Sequence, residues 1–281
     1  MTGAIDILCY FFSHEAIQKY WYDCEELYRV VLWWQMQDRV QGRSLDEFVA
    51  LLDEAGVEKV LIPATKMMSY KTKKMLWDIS PDEVLAVVQS KPDRFVGMAG
   101  FNPYSGMAGV QEVEHAVRTL GFRGVHLHTY GFGLELDHRK YYPLYAKCVE
   151  LGVPVVMQVG HSAEHMPSAL GRPILVDTIA LDFPDLNIVG AHTGWPWTDE
   201  MIALAWKHEN VYIGIDAHHP RYLDPSLLRF MKSRGRTKVL WGTNYPVVAH
   251  ASANYMREHL GLSPEVQDLI LRENARKLFG L

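Results

Sequence analysis

The chain has few cysteines, no membrane-length apolar run and no block of basic residues, and each shortage removes a class of protein. Three cysteines in 281 residues (Cys9, Cys24, Cys148) are too few for a disulfide framework. No Cys-x-x-Cys pair is present to hold zinc or exchange thiols. A reduced, cytoplasmic protein is expected. No apolar run approaches the roughly 18 residues needed to span a bilayer. The first apolar run contains Asp6 and follows no basic segment, so no secretory leader is expected. Lys and Arg (28) are outnumbered by Asp and Glu (33), for a net charge of -5. Nucleic acid and anionic membranes are therefore not expected as partners. A Gly-x-Gly-x-x-Gly turn, a P-loop and a Gly-x-Ser-x-Gly elbow are also missing, which argues against dinucleotide, nucleotide and serine-hydrolase sites.

What is present is the balance of an ordinary globular protein, 48% hydrophobic and 22% charged. Eight Trp and 14 Tyr suit an aromatic-lined pocket as well as a packed core. From residue 57 onward, short β-branched runs alternate with longer amphipathic stretches. Strands are predicted over 4–9, 57–63, 95–102, 124–128, 153–159, 187–192, 211–216 and 238–242. The intervening helices carry their own punctuation: Ser80 and Pro81 open one, and Gly121 and Gly152 close two others. Eight strand–helix units in series predict parallel strands joined by right-handed crossovers. The expected fold is an α/β (β/α)8 TIM barrel, a single domain over residues 1–281, with its active site at the carboxyl ends of the strands. An open doubly wound sheet is the alternative. Residues 11–44, rich in aromatics, form a helical insertion after the first strand. It either covers the barrel mouth or packs on the outer ring.

Polar residues at the predicted strand ends are the candidates for chemistry: Tyr10 and His14, Asn102, His126 and His128, Gln158 and His161, His192, Asp216 with His218 and His219, and Thr243 with Asn244. A lone histidine is more often a hydrogen-bonded structural residue than a functional one. Histidines recurring at one rim of a barrel point the other way. Cys9 lies between Leu8 and Tyr10 and points to the opposite side, so it reads as a small buried residue.

The segments Ile188-Val189-Gly190-Ala191-His192-Thr193-Gly194, Val239-Leu240-Trp241-Gly242-Thr243-Asn244-Tyr245-Pro246 and Glu273-Asn274-Ala275-Arg276-Lys277-Leu278-Phe279 resemble the amidohydrolase-related family. That branch of the amidohydrolase superfamily contains hydrolases and nonoxidative decarboxylases, and the likeness runs from Ile5-Asp6 to the C-terminal helix. The resemblance implies a His-x-His pair after strand one, histidines after strands five and six, and an aspartate after strand eight. Those positions are Leu8 and Tyr10, Gln158, His192 and Asn244, and only His192 matches. Zinc prefers Cys, His, Asp or Glu, so no metal is expected in the usual place. A displaced zinc site built from His126, His128, His161, His192 and His218 is the alternative.

Without a metal, the available chemistry is proton transfer and hydrogen bonding, which suits an activated carbonyl compound. His192 is expected to act as the base and His161 as a second acid–base group. Gln158 and Asn244 would donate amide N–H bonds to an oxyanion, and Tyr10 would act as donor or weak acid. His126, His128, His218 and Trp195 are expected to bind substrate, and Arg172 and Arg221 to clamp a carboxylate. The function expected first is hydrolysis of a lactone or enol ester. Nonoxidative decarboxylation or hydration of a hydroxyaryl or keto acid is the second reading, and a non-catalytic binding barrel the third. The partners expected are a small-molecule substrate and a second copy of the chain, with the aromatic insertion as interface.

Overall fold

The computed structural model describes residues 3–281. Eight parallel strands form one sheet in sequence order: β1 (Ala4–Asp6), β2 (Val57–Pro63), β3 (Phe95–Gly100), β4 (Val125–Leu127), β5 (Val155–Gln158), β6 (Ile188–Ala191), β7 (Val211–Gly214) and β8 (Val239–Leu240). The sheet curls until its first and last segments meet. Cys9 bridges Tyr245 in parallel, Asn244 N–H donates to Leu8 O (2.8 Å) and Tyr10 N–H to Tyr245 O (3.1 Å). Asp6 clasps the seam. Its Oδ1 accepts from the N–H groups of Leu8 (3.0 Å) and Thr243 (2.9 Å), and its Oδ2 accepts from the Thr243 hydroxyl. Because that carboxylate takes the Leu8 N–H, β1 ends at Asp6 rather than at residue 9.

Helices separate the strands: α1 (Glu25–Trp33), α2 (Leu45–Glu54), α3 (Pro81–Ser90), α4 (Met107–Arg118), α5 (Tyr142–Leu151), α6 (Leu175–Asp182), α7 (Thr198–Lys207), α8 (Pro225–Met231) and α9 (Ser252–His259). Local sequence sets their ends. Ser44 with Glu47 and Ser80 with Glu83 form capping boxes on α2 and α3, each satisfying two orphan backbone donors. Gly152 closes α5 in the left-handed region. All four residues of β5 are buried, as expected for a strand covered on both faces.

The insertion covers the barrel mouth. Trp21, Leu27, Val30 and Trp34 face the cavity at the strand ends. A short antiparallel hairpin, Lys66–Met68 with Met75–Asp78, completes the cover from the other side; it was not expected from the sequence. The two pieces are tied by Trp77, whose Nε1–H donates to Tyr20 O (2.7 Å). The rings of Tyr10 and Trp21 meet Trp77 edge-on at 5.0 and 5.8 Å.

Candidate active site

The carboxyl ends of β5 to β8 share a backbone peculiarity. Gly160, His192, Thr193, Ala217 and Asn244 all have positive φ (93, 65, 58, 63 and 55°). Left-handed backbone at a non-glycine residue costs about 1 kcal/mol or more, least for Asn and most for a β-branched residue such as Thr193. Four such residues at one rim mark the place where the chain is bent to aim side chains.

His192 is held by Asp216, which follows β7 and is fully buried. Asp216 Oδ2 lies 2.6 Å from His192 Nδ1, and Oδ1 accepts the His192 backbone N–H at 3.2 Å. Burial alone would raise the Asp216 pKa; the adjacent imidazole and its hydrogen bonds outweigh that and hold the carboxyl below its usual range. With Nδ1 engaged, Nε2 is the nitrogen that His192 offers to the cavity it lines.

Beside this pair runs a chain of neutral groups. Gln158 Nε2 donates to Tyr10 Oη (2.9 Å) and approaches His126 Nε2 (3.3 Å); His126 Nδ1 in turn is 3.3 Å from Thr65 Oγ1. Burial, then the neighbouring His128 and His192, push His126 down to about 3, so it is neutral. The network assigns its proton to Nδ1. Burial and the nearby Glu164 and Asp216 raise Tyr10 well above the usual phenol range, so it stays protonated. Its O–H accepts from Gln158 and remains a donor. Gln158 does not donate into the cavity as expected, because Tyr10 and His126 take its amide nitrogen. Asn244 lines the cavity with its Oδ1 buried and without a partner.

The loop after β5 supplies a carboxylate that the sequence reading passed over. Glu164 lines the cavity with its Oε1 3.8 Å from His128 Nε2, and its Oε2 accepts from Ser162 Oγ (2.7 Å). Burial alone would raise its pKa; His128 and Ser162 outweigh that and bring the carboxyl down to about 2. Glu164 is the only carboxylate between residues 159 and 174, a signal that was available but weak in a polar loop. The insertion pins this loop: Arg29 Nη2 donates to Ala163 O (2.8 Å), and His165 N–H to Glu26 (3.1 Å).

The cavity measures about 760 Å³ including its mouth, and Tyr10, Gln158, His161, His192, His218 and Asn244 all line it. Its walls include Trp21, Trp34, Trp77 and Met67, and among the described residues no Lys or Arg lines it. The expected arginine clamp is therefore not formed. Arg172 forks onto Glu200 (2.6 and 3.0 Å) on the surface, and exposed Arg221 lies over the Tyr222 ring. The nearest acidic and aromatic partners outcompete a distant substrate for a flexible cation. Trp195 sits half exposed at the rim, its ring centroid 5.4 Å from His161 and 6.1 Å from His218. His126, expected to bind substrate, does not line the cavity and lies behind Gln158, 3.3 Å from its Nε2.

Burial also lowers His218 to about 4. Together with His126, this sets a pH dependence. Below the ordinary histidine value of 6.5 the unfolded chain binds protons that these folded histidines refuse, so stability falls as pH drops from about 6.5 towards 4. A His126→Gln variant is expected to show a shallower decline in Tm over that window; an unchanged slope would remove His126 as a source.

The residues at the family's ligand positions do not fit a divalent metal. They comprise one imidazole already held by Asp216, a protonated phenol, two neutral amides and the fully buried Leu8, where zinc and manganese take imidazole and anionic ligands. The five histidines of the displaced zinc site do not converge either. Among the described residues, the one group of three His, Cys, Asp or Glu ligand atoms within 4.8 Å of one another is Asp6, Cys9 and His250, outside the cavity lining, where Asp6 holds the barrel seam. Cys9 is fully buried, and burial followed by the Asp6 charge raises its thiol pKa well above the usual value.

The model of the amidohydrolase family matches residues 77–281. The chain belongs to this family. Among curated proteins it is similar to the gamma-resorcylate decarboxylase of a Rhizobium species, 23% identical over 89% of this chain and 90% of that one. Among solved structures it is similar to an uncharacterised TIM-barrel protein of Bordetella bronchiseptica, with a TM-score of 0.78, 26% identity, and 99% and 98% of the two chains covered. It is also similar to a dihydroxybenzoic acid decarboxylase of a Polaromonas species with bound manganese and 2-nitroresorcinol, with a TM-score of 0.72, 20% identity, and 100% and 98% covered. These likenesses bear out the TIM-barrel expectation.

Proposed function

We propose that this amidohydrolase-family protein is a nonoxidative decarboxylase of a small hydroxyaryl acid, and that it works through its own side chains. The observation that carries the reading is the buried Asp216–His192 pair at 2.6 Å, with its free imidazole nitrogen turned into an aromatic-walled cavity. Decarboxylating relatives support it over the hydrolysis expected first.

In this reading the ring lies among Trp21, Trp77 and Tyr10, and the carboxyl group receives the Tyr10 hydroxyl. The substrate hydroxyl pushes electron density into the ring. His192, as imidazolium stabilised by Asp216, delivers a proton from Nε2 to the carbon bearing the carboxylate. The C–C bond then breaks, its electron pair returns to the ring, and neutral CO2 leaves; water reprotonates His192. A carboxylate in a cavity lined by Glu164 and, among the described residues, by no Lys or Arg is poorly stabilised. That stress is relieved as its charge leaves the carboxyl group.

The same lack of a cation favours a second reading, hydrolysis of a neutral lactone with His192 activating water. A screen separates the two. CO2 release from hydroxybenzoates, undiminished by a chelator, is the expected result. Ring opening of lactones with no CO2 release from any hydroxyaryl acid would overturn the decarboxylase reading, and loss of CO2 release on chelation would overturn its metal independence.

A further inference from the structure

Two of the cavity's polar side chains offer acceptors. Asn244 Oδ1 is buried without a partner, Gln158 has its amide nitrogen engaged by Tyr10 and His126, and Glu164 is an acceptor-only carboxylate. A buried acceptor without a donor has lost its hydration with nothing in exchange, so a ligand that brings a donor is favoured over one that does not.

The gap between Glu164 and His128 narrows the choice further. Their 3.8 Å separation is an ion-pair distance, too long for a hydrogen bond, and neither ring nitrogen of His128 has a hydrogen-bond partner although both are buried. His128 is 4% exposed and belongs to the cavity lining, as does Glu164. A hydroxyl group is both donor and acceptor. It alone among simple ring substituents can donate to the carboxylate while accepting from an imidazole N–H. An ether cannot donate, and an aromatic amine is a poor acceptor.

We infer that Glu164 and His128 form a hydroxyl-recognition subsite, which selects aromatic ligands by a phenolic O–H donated to Glu164. The inference rests on the reading that the cavity takes a small aromatic acid, and it assigns that acid's hydroxyl a place. The subsite lies on the loop pinned by Arg29 and Glu26 from the insertion, so the aromatic cover also holds the specificity residue in position. Glu164 here positions and selects; His192 moves the proton.

The test uses calorimetric titration of the full chain with resorcinol, 1,3-dimethoxybenzene and 1,3-phenylenediamine. These share a ring and differ in donor and acceptor capacity. Resorcinol is expected to bind at least about tenfold more tightly than either of the others, the scale of one hydrogen bond to a charged group. In Glu164→Gln that gap should shrink to less than about threefold, since the charge assistance is lost. Equal binding of resorcinol and 1,3-dimethoxybenzene to the wild type overturns the subsite, and this comparison stands even if the variant fails to fold. A gap unchanged in Glu164→Gln removes Glu164 from it. Phenylenediamine binding as tightly as resorcinol overturns the choice of hydroxyl. The two proposals can fail separately: a resorcinol preference without CO2 release from any hydroxyaryl acid sinks only the proposed reaction, and CO2 release without the preference sinks only the subsite.

Discussion

If the proposed decarboxylation holds, His192→Asn is expected to lower kcat for CO2 release by about 10²–10⁴, the contribution of a positioned acid–base group, while the protein still folds. Asparagine is the informative replacement for two physical reasons. It tolerates the left-handed backbone at this position (φ 65°) better than alanine. Its amide can also donate to Asp216, which would otherwise be left as an unpaired buried carboxylate at a cost of about 3–5 kcal/mol. A fall in kcat with a nearly constant Tm therefore reports chemistry rather than collapse. Asp216→Asn should act in the same direction, because an amide donor facing Nδ1 favours the opposite tautomer and no longer stabilises the imidazolium. Turnover of His192→Asn within about threefold of wild type, far short of the loss expected for an acid–base group, would show that the proton comes from elsewhere, with His161 the next candidate.

Gly160→Ala is expected to destabilise the protein by about 2–5 kcal/mol, combining left-handed strain with overpacking. Gly160 has φ +93°, and a Cβ there would stand 2.4 Å from Trp195 O and 2.7 Å from Gly194 C. Both are backbone atoms that cannot rotate aside. The contact joins the start of the Glu164 loop to the segment after His192, and His161 N–H donates to Trp195 O (2.7 Å) across it. Pushing these apart should cost activity as well as Tm. Gly152→Ala is the control: its φ of +66° imposes similar strain, but a Cβ meets nothing within 4 Å. A drop in Tm no larger for Gly160→Ala than for Gly152→Ala would show that the contact gives way easily.

The barrel was legible because its signals are local and repeated. A continuous apolar strand such as Val155–Gln158, and helix ends marked by Ser80 with Glu83 or by Gly152, can each be recognised within a few residues. The strand-end rule then brought Tyr10, Gln158, His161, His192, His218 and Asn244 to one cavity, where the structure places them. Arginines read less well. Arg172 and Arg221 follow strands as a carboxylate clamp would, but a long side chain reaches whichever partner is nearest, and Arg172 reaches Glu200. Glu164 was missed for the opposite reason: its importance comes from His128, 36 residues earlier in the chain and 3.8 Å away in space.

The sequence alone determined the eight-unit barrel and the polar residues that gather at one rim of it, because these depend on residue type and periodicity. Only the tertiary structure decided that the insertion roofs the cavity, that Asp216 holds His192, and that Gln158 turns its nitrogen towards Tyr10 and His126. Those depend on which polar groups find each other once water is excluded. A buried hydrogen bond is set by distance and direction in space, and neither is encoded by spacing along the chain.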